Sequence, residues 1–522
     1  MCCKSAALVL IAAALCPAQE SVDQMVERAR KAYDVPGVAV AIVKDGKVVH
    51  MKGYGVRKLG DPAPVTEHTL FRIASNTKAF TAAALAILVD EKRIHWDDPV
   101  VQHLPGFQLY DPYVTREMTI RDLLTHRSGL GLGAGDLMFF PPSDLPSDEI
   151  VRRLRFIRPA TSFRSTYAYD NLLYLVAGSI IPAATQGQSW ADFLKARIFT
   201  PLGMTDTVAE TASFQASRDV ATPHSRLSGK LETIPQENVD NNAPAGALAS
   251  SVSDLAKWMI VQLNAGQMEG GRHLFSAERS REMWTGVTVL PIEEPGKEAH
   301  PAFAETRANF ALYGLGWGLR DYRGKKLVGH TGGLSGFVSR TALVPELKLG
   351  IVVLTNGEEN GLHSAIANAI IDRYLDARPT DWVAAFQARD RAAKAEVEEA
   401  LRKASGTRKQ NTRLSLPPAS YAGRFRDAWY GDIRIEARGG KLTIAFSHTP
   451  ELTGDLEHWQ YDTFVARWKN RSLDADAYVS FALNPDGSIR EMRMQAVSLA
   501  TDFSFDFQDL LFRPVAPDSP PR

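Results

Sequence analysis

Ser75-Asn76-Thr77-Lys78-Ala79-Phe80-Thr81-Ala82-Ala83-Ala84-Leu85-Ala86-Ile87-Leu88-Val89 decides how this chain is read. From Ala79 to Val89 the run is apolar almost all round, and a helix of that kind belongs inside a protein. It carries a hydroxyl and an amine three residues apart, on one helix face, into a protected place. Burial lowers an amine's pKa because desolvation disfavours the charged form. The helix N-terminus favours negative charge developing on the Ser75 oxygen. An activated serine needs a base within reach, and a partly desolvated Lys78 one turn away can be one. Ser-x-x-Lys also arises by accident, so the pair needs partners elsewhere in the chain.

Ser21 and Gln24 are spaced as a capping box for a helix over residues 21–34. Residues 38–43 and 48–53, joined by Asp45-Gly46, read as a β-hairpin. After the Ser75 helix, residues 119–130 predict a short helix running into a loop. Residues 129–146, rich in Gly and Pro, carry the apolar run Leu137-Met138-Phe139-Phe140. Helices are expected over residues 170–181, 189–198 and 251–263, the last with Ser251 and Asp254 at capping-box spacing. Residues 287–309 read as a loop or flap. Strands are expected at 313–319, 326–329, 335–343 and 349–355, and a final apolar helix at 362–375. A hairpin at the start and strands at the end can form one sheet with helices on both faces.

Residues 381–403 are charged and helical, and 405–413 are polar, together a linker candidate. From Pro417 the pattern changes to short alternating strands: Ile433 and Ile435; Leu442, Ile444 and Phe446; Phe464, Ala466 and Trp468; Val479, Phe481 and Leu483; Phe503, Phe505 and Phe507. That predicts a small all-β barrel or sandwich. The expected organisation is a signal segment (1–18), a catalytic domain (19–380), a helical and polar linker (381–415) and a β-domain (416–515).

The 522 residues balance 60 basic against 60 acidic side chains, and no basic cluster stands out. This argues against nucleic acid as the main partner. A content of 45% hydrophobic and 23% charged residues is ordinary for globular proteins. Lys4, the apolar stretch 6–15 and Cys16-Pro17-Ala18 read as an export signal, which predicts a periplasmic or secreted protein. Acylation of Cys16 is the lesser reading, because Leu15 is bulky for that processing. No stretch is long and apolar enough for a membrane span. Cys2, Cys3 and Cys16 are the only cysteines, so a chain cut after Ala18 has neither disulfide nor thiol chemistry.

Two further groups can complete a site. Tyr169-Asp170-Asn171 precedes a helix; its phenol beside a cationic lysine can serve as general acid or base. Asn171 offers an amide to hold Lys78 and a substrate carbonyl. His330-Thr331-Gly332-Gly333 lies at a strand, where backbone N–H groups can join that of Ser75 as an oxyanion hole and the glycines admit a close substrate. Taken singly, Tyr169 also reads as a packing aromatic and the His330 stretch as a plain turn.

The ordered set S-x-x-K, Y-x-N and H-T-G-G resembles the serine β-lactamase and penicillin-binding-protein superfamily, and within it the class C β-lactamase, D-aminopeptidase and esterase branch. Val35-Pro36-Gly37-Val38-Ala39, Leu123 to Leu130 (LLTHRSGL), Pro201 to Thr205 (PLGMT) and Ala245-Gly246 add to the likeness, over roughly residues 21–376. The resemblance implies an α+β, D,D-peptidase-like helix–antiparallel sheet–helix sandwich with an all-helical insert. Residues 417–515 resemble the lipocalin-like β-barrel appended to members of that branch.

By resemblance, Ser75 is the nucleophile, and Lys78 and Tyr169 are the proton-transfer groups. Asn171, His330, Thr331, Gly332 and Gly333 bind substrate and oxyanion. The implied activity is hydrolysis of an amide or ester bond in a small molecule or peptide, peptidase- or esterase-like. A β-lactamase proper, or a penicillin-binding sensor that acylates without turnover, is the alternative. His330 stands where β-lactamases carry Lys. It is mostly neutral at pH 7, which weakens the match to penicillins. No cofactor or metal is implied, His126 reads as structural, and His448 and His458 lack metal-ligand spacing. The oligomeric state is open, a homo-oligomer included.

Overall fold

The computed structural model describes residues 20–292, 294–296 and 299–516; the expected export signal lies outside them. Helix α1 (Val22–Ala32) opens with the predicted capping box, Ser21 N–H donating to Gln24 Oε1 at 2.9 Å and Gln24 N–H to Ser21 Oγ at 3.1 Å. Strands β1 (Gly37–Lys44) and β2 (Lys47–Gly55) follow as the expected hairpin. Asp45 and Gly46 have φ of 51° and 75°, the twisted two-residue turn that Asp-Gly favours.

Helix α2 (Thr77–Asp90) is buried at every residue from Thr77 to Val89, as its all-round apolar pattern predicts. Helices α3 (Leu172–Ala184) and α4 (Val252–Leu263) come next, the latter capped by Ser251. The chain then runs through β3 (Thr288–Val289), β4 (Ala311–Tyr313), β5 (Gly318–Tyr322), β6 (Lys325–Leu334), β7 (Phe337–Val344) and β8 (Leu349–Thr355). β1 pairs antiparallel with β8, Val38 opposite Thr355, so the two ends of the domain close one sheet in the order β2-β1-β8-β7-β6-β5-β4-β3.

Alternation along β1 splits the core into two layers. Ala39, Ala41 and Val43 face the layer of α2 and α4, with Val352 and Leu354. Val38, Val40 and Ile42 face α1 and α5 (Asn360–Tyr374), with Val353 and Ile366. The helices that fill the middle of the sequence cover the first layer, giving the expected sandwich.

Within this domain, three expected elements need correction. The strand expected at 313–319 is two, β4 and β5, separated by a turn with Gly316 at φ 78°. A Cβ on Gly316 would lie 2.8 Å from the Lys78 carbonyl oxygen, so this turn lets the sheet edge press on α2. His330-Thr-Gly-Gly lies inside β6, because the strand extends to Leu334 rather than ending at 329. The segment 287–309 is not wholly a loop: it holds β3 and a short helix, Pro301–Glu305.

Helix α6 (Trp382–Thr407) carries the chain out of this domain. Trp382, Val383, Ala385 and Phe386 are buried in the α5 layer, so the start of the expected linker belongs to the catalytic domain's core. Beyond it lies a closed eight-stranded antiparallel barrel: β9 (Gly423–Asp427), β10 (Gly431–Arg438), β11 (Lys441–Phe446), β12 (Thr453–Gln460), β13 (Thr463–Trp468), β14 (Ala477–Leu483), β15 (Ile489–Ala496) and β16 (Leu511–Pro514). Phe503, Phe505 and Phe507 do not form a strand. They lie on the excursion between β15 and β16, where Phe505 and Phe507 are buried anchors and Phe503 is more exposed.

That excursion joins the two domains. One continuous hydrophobic core includes α2, α3 and the barrel interior. Phe505 packs edge-on against Phe140, His448 Nδ1 lies 2.7 Å from Asp144 Oδ1, and Arg153 donates to the Trp429 carbonyl at 3.1 Å.

Candidate active site

Ser75 sits in a single 3-10 turn (Ala74–Asn76) that leads into α2, rather than in α2 itself. Ala74 before it has φ 45°, a left-handed value that strains a residue with a side chain and is found where function fixes the backbone. Two strands hold this turn. Phe71–Arg72 pairs with Ala249–Ser250. Ser339 on β7 donates to the Ile73 carbonyl at 2.7 Å and accepts from Asn76 Nδ2 at 2.8 Å.

Lys78 has no exposure to solvent. Its Nζ donates to Ser75 Oγ at 3.0 Å, to Asn171 Oδ1 at 2.7 Å and to the Ala245 carbonyl at 3.0 Å. Burial pulls its pKa down to about 7, with Asp136 and Asp170 opposing that fall. An amine in this position is an acceptor of protons at neutral pH, not a fixed cation.

Tyr169 lies over Lys78, the ammonium nitrogen 4.7 Å from the ring centroid. Burial pushes its phenol well above the ordinary range, and a hydrogen bond with Ser75 pulls the other way. The phenol is therefore a proton donor at neutral pH. His126 packs against the Tyr169 ring with centroids 4.4 Å apart and the planes tilted by 34°. Its Nδ1 accepts from Asp170 N–H at 3.1 Å, and burial keeps the ring neutral. This is the packing role expected of it.

β6 lays His330 and Gly332 toward the Ser75 turn and Thr331 and Gly333 to the other side of the strand, by alternation. A Cβ on Gly332 would stand 2.2 Å from the Ile73 carbonyl oxygen and 3.0 Å from Ser75 N, so only glycine lets β6 lie this close. Above Gly333 the space is open. His330 Nδ1 lies 2.5 Å from the Thr331 carbonyl oxygen, which can only accept, so Nδ1 carries the proton. Nε2 then accepts from the Tyr313 hydroxyl at 2.9 Å. Burial and the nearby Lys78 push the His330 pKa down to about 4, and the ring is neutral at pH 7.

Ser75, Tyr169, Asn171, His330, Thr331 and Gly333 all border one cavity of about 890 Å³. Lys78 lies behind Ser75 and Gly332 beneath it, so the eight predicted positions converge. Much of the remaining wall is apolar, including Leu132, Phe139, Tyr167, Leu312 and Phe503. Sequence reasoning missed Tyr313, Ser339 and the Ala245 carbonyl, which act through hydrogen bonds that no spacing announces. It also missed Asp136, whose Oδ2 accepts from Asn171 Nδ2 at 2.8 Å and from Ser504 Oγ at 2.9 Å. Among the described residues no group of three or more His, Cys, Asp or Glu is placed to hold a metal ion. His448 and His458 are engaged with Asp144 and the Tyr461 carbonyl.

A family model described as Beta-lactamase matches residues 22–375. The chain belongs to the beta-lactamase family. A second model, a domain of unknown function (DUF3471), covers residues 407–514, the barrel and its approach. This beta-lactamase-family chain is 30% identical over 498 residues to an unguisins hydrolase of Aspergillus campestris, spanning 90% of this chain and 88% of that protein. It is 28% identical over 353 residues to Protein flp of Staphylococcus aureus, spanning 65% of this chain and 63% of that one. Among solved structures it shares the fold of an octameric penicillin-binding protein homologue from Pyrococcus abyssi. The TM-score is 0.59 at 22% identity, covering 94% of this chain and 99% of that one. With hydrolases among its relatives, the chain is a hydrolase of the β-lactamase fold. Among the described residues no helix is long and apolar enough to cross a membrane.

Proposed function

We propose that this protein is a serine hydrolase that cleaves an amide or ester bond through an acyl-enzyme on Ser75, with a peptidase- or esterase-like substrate. The observation that carries this reading is the unexposed Lys78 amine, 3.0 Å from Ser75 Oγ with its pKa pulled to about 7. Neutral Lys78 takes the Ser75 proton as Oγ bonds to the substrate carbonyl carbon. The N–H groups of Ser75 and Gly333 hold the resulting oxyanion. The tetrahedral carbon then expels its amine or alcohol, which leaves with a proton from Tyr169, itself resupplied by Lys78. Water attacks the ester in the second half, losing its proton to the same Lys78–Tyr169 pair, and Ser75 is regenerated.

Neutral His330 favours uncharged amides and esters over a β-lactam carboxylate, and the apolar wall favours aromatic or aliphatic groups near the scissile bond. Export through residues 1–18 belongs to the same proposal, and amino-terminal sequencing of the mature protein tests it. The central test is labelling by a fluorophosphonate together with turnover of a chromogenic ester. Both are expected in the wild type and absent in Ser75→Ala. Labelling or turnover that survives in the variant rejects the nucleophile; acylation with no turnover in the wild type points to a sensor.

A further inference from the structure

The C-terminal barrel sends one segment, residues 499–509, into the catalytic domain, where Ala500, Asp502, Phe503, Ser504 and Phe505 border the same cavity as Ser75. Ser504 is 7% exposed, and its hydroxyl donates to Asp136 Oδ2 at 2.9 Å. Asp136, with no exposure, accepts on that same oxygen from Asn171 Nδ2 at 2.8 Å. Asn171 Oδ1 in turn accepts from Lys78 Nζ at 2.7 Å. A hydrogen-bonded line therefore runs from the barrel to the amine beside Ser75.

A primary amide can be turned over, exchanging its oxygen and nitrogen. Here Asp136 Oδ2, which already accepts from the Ser504 hydroxyl, faces the nitrogen side as an acceptor. Turning Asn171 over would set its oxygen against Asp136 and its N–H₂ against the Lys78 amine. Asp136 thus fixes the amide in the sense that holds Lys78. The loop carrying Asp136 is itself held by the barrel. Asp506 accepts from Gly135 N–H at 2.5 Å and from Leu137 N–H at 3.3 Å, on either side of Asp136. Gly133 has φ 68°, and a Cβ there would lie 2.7 Å from the Phe503 carbonyl oxygen. Gly133 N–H donates to the Tyr169 carbonyl at 2.9 Å, and the Phe503 ring meets the Tyr169 ring edge-on, centroids 5.8 Å apart.

We infer that Asp136 and Ser504 are positioning residues for the Asn171–Lys78 pair, and that the C-terminal barrel is therefore a component of the catalytic centre. This rests on the Ser75 hydrolase reading. Ser504→Ala removes one hydroxyl and leaves Phe503, Phe505 and Asp506 in place, so it separates positioning from adhesion between the domains. In the full-length protein, kcat for a chromogenic ester should fall roughly tenfold, the upper scale of one buried hydrogen bond. KM and Tm should change little. Ser504→Thr, which keeps the hydroxyl, should restore most of the rate. Asp136→Ala, which removes the acceptor of Asn171 Nδ2, should lower kcat further than Ser504→Ala.

Wild-type kcat in both Ser504→Ala and Asp136→Ala overturns the inference. So does a loss of rate that tracks a fall in Tm equally in Ser504→Ala and Ser504→Thr, because the segment then only holds the domains together. Fluorophosphonate labelling of the wild type separates the two levels: absence of label on Ser75 rejects the hydrolase reading itself, whereas normal label with unaltered variants rejects only the positioning role.

Discussion

Lys78 Nζ donates to Ser75 Oγ across 3.0 Å from a side chain with no solvent exposure. That pairing sets a pH dependence. Lys78 acts as a base only when neutral, and burial pulls its pKa down to about 7. Hydrolysis should therefore rise with pH, about tenfold per unit well below 7, and level off above 7. Tyr169 is pushed the other way, well above the ordinary phenol range. Were its phenolate the base, the rate would still be climbing beyond pH 9. A kcat/KM profile of the wild type on an uncharged ester distinguishes the two.

Lys78→Ala and Tyr169→Phe should each lower the rate by roughly 10²–10⁴, the range for a positioned proton-transfer group. The double variant should be little worse than the poorer single one, since both serve one proton network. Additive losses would place the two groups in separate steps, and a Tyr169→Phe variant as active as wild type would remove Tyr169 from the chemistry.

Gly332→Ala tests the packing beneath the nucleophile. The added methyl would meet the Ile73 carbonyl oxygen at 2.2 Å and Ser339 Oγ at 2.6 Å, the two atoms that hold the Ser75 turn. Overpacking of this kind destabilises by about 1–3 kcal/mol. Tm should fall, and activity should fall by more than the loss of folded protein explains. Gly333→Ala meets open space and should leave Tm unchanged. Equal Tm in the two variants would contradict the close approach of β6 to Ser75.

The parts of this site legible in the sequence are those that pattern and spacing can carry. An apolar run announces the burial of α2, and Asp45-Gly46 announces the hairpin. Both are local. The family motifs place Tyr169, Asn171 and His330 around Ser75 before any coordinate is known. Tyr313, Ser339 and Asp136 were not legible, because each acts through a partner distant in sequence. The Phe503, Phe505 and Phe507 alternation misled for a related reason. Period-two spacing suits a strand, yet it equally serves a loop whose rings reach two domains, here Phe503 toward Tyr169 and Phe505 toward Phe140 in the catalytic domain, and Phe507 toward Trp468 in the barrel.

His330→Lys should shift preference toward carboxylate-bearing β-lactams relative to neutral esters. His330 is neutral, with Nδ1–H given to its neighbour's carbonyl and Nε2 accepting from Tyr313. A lysine there adds positive charge at the cavity wall. The ratio of kcat/KM for a cephalosporin to that for a short-chain ester should rise. An unchanged ratio would mean that position 330 does not face the substrate's acidic group.

Removal of the barrel is the last test, and here the structure argues against simple modularity. A charged helix and a polar stretch suggest that a chain ending near Arg378 would fold and label at Ser75, changed only in substrate preference or oligomeric state. Two cores oppose this. Trp382 and Phe386 on α6 are buried in the α5 layer. Across the domain boundary, Phe140 packs on Phe505, and Asp506 holds the loop around Asp136. Each large apolar side chain left exposed forfeits about 1.5–3 kcal/mol, against a total stability of about 5–15 kcal/mol. A chain ending at Arg378 should lose both cores and be insoluble. One ending at Thr407 keeps α6, and should be less stable and label slowly at Ser75, because Asp136 and Asn171 have lost their support. Soluble protein ending at Thr407 that labels at the wild-type rate would show that the barrel is an accessory after all.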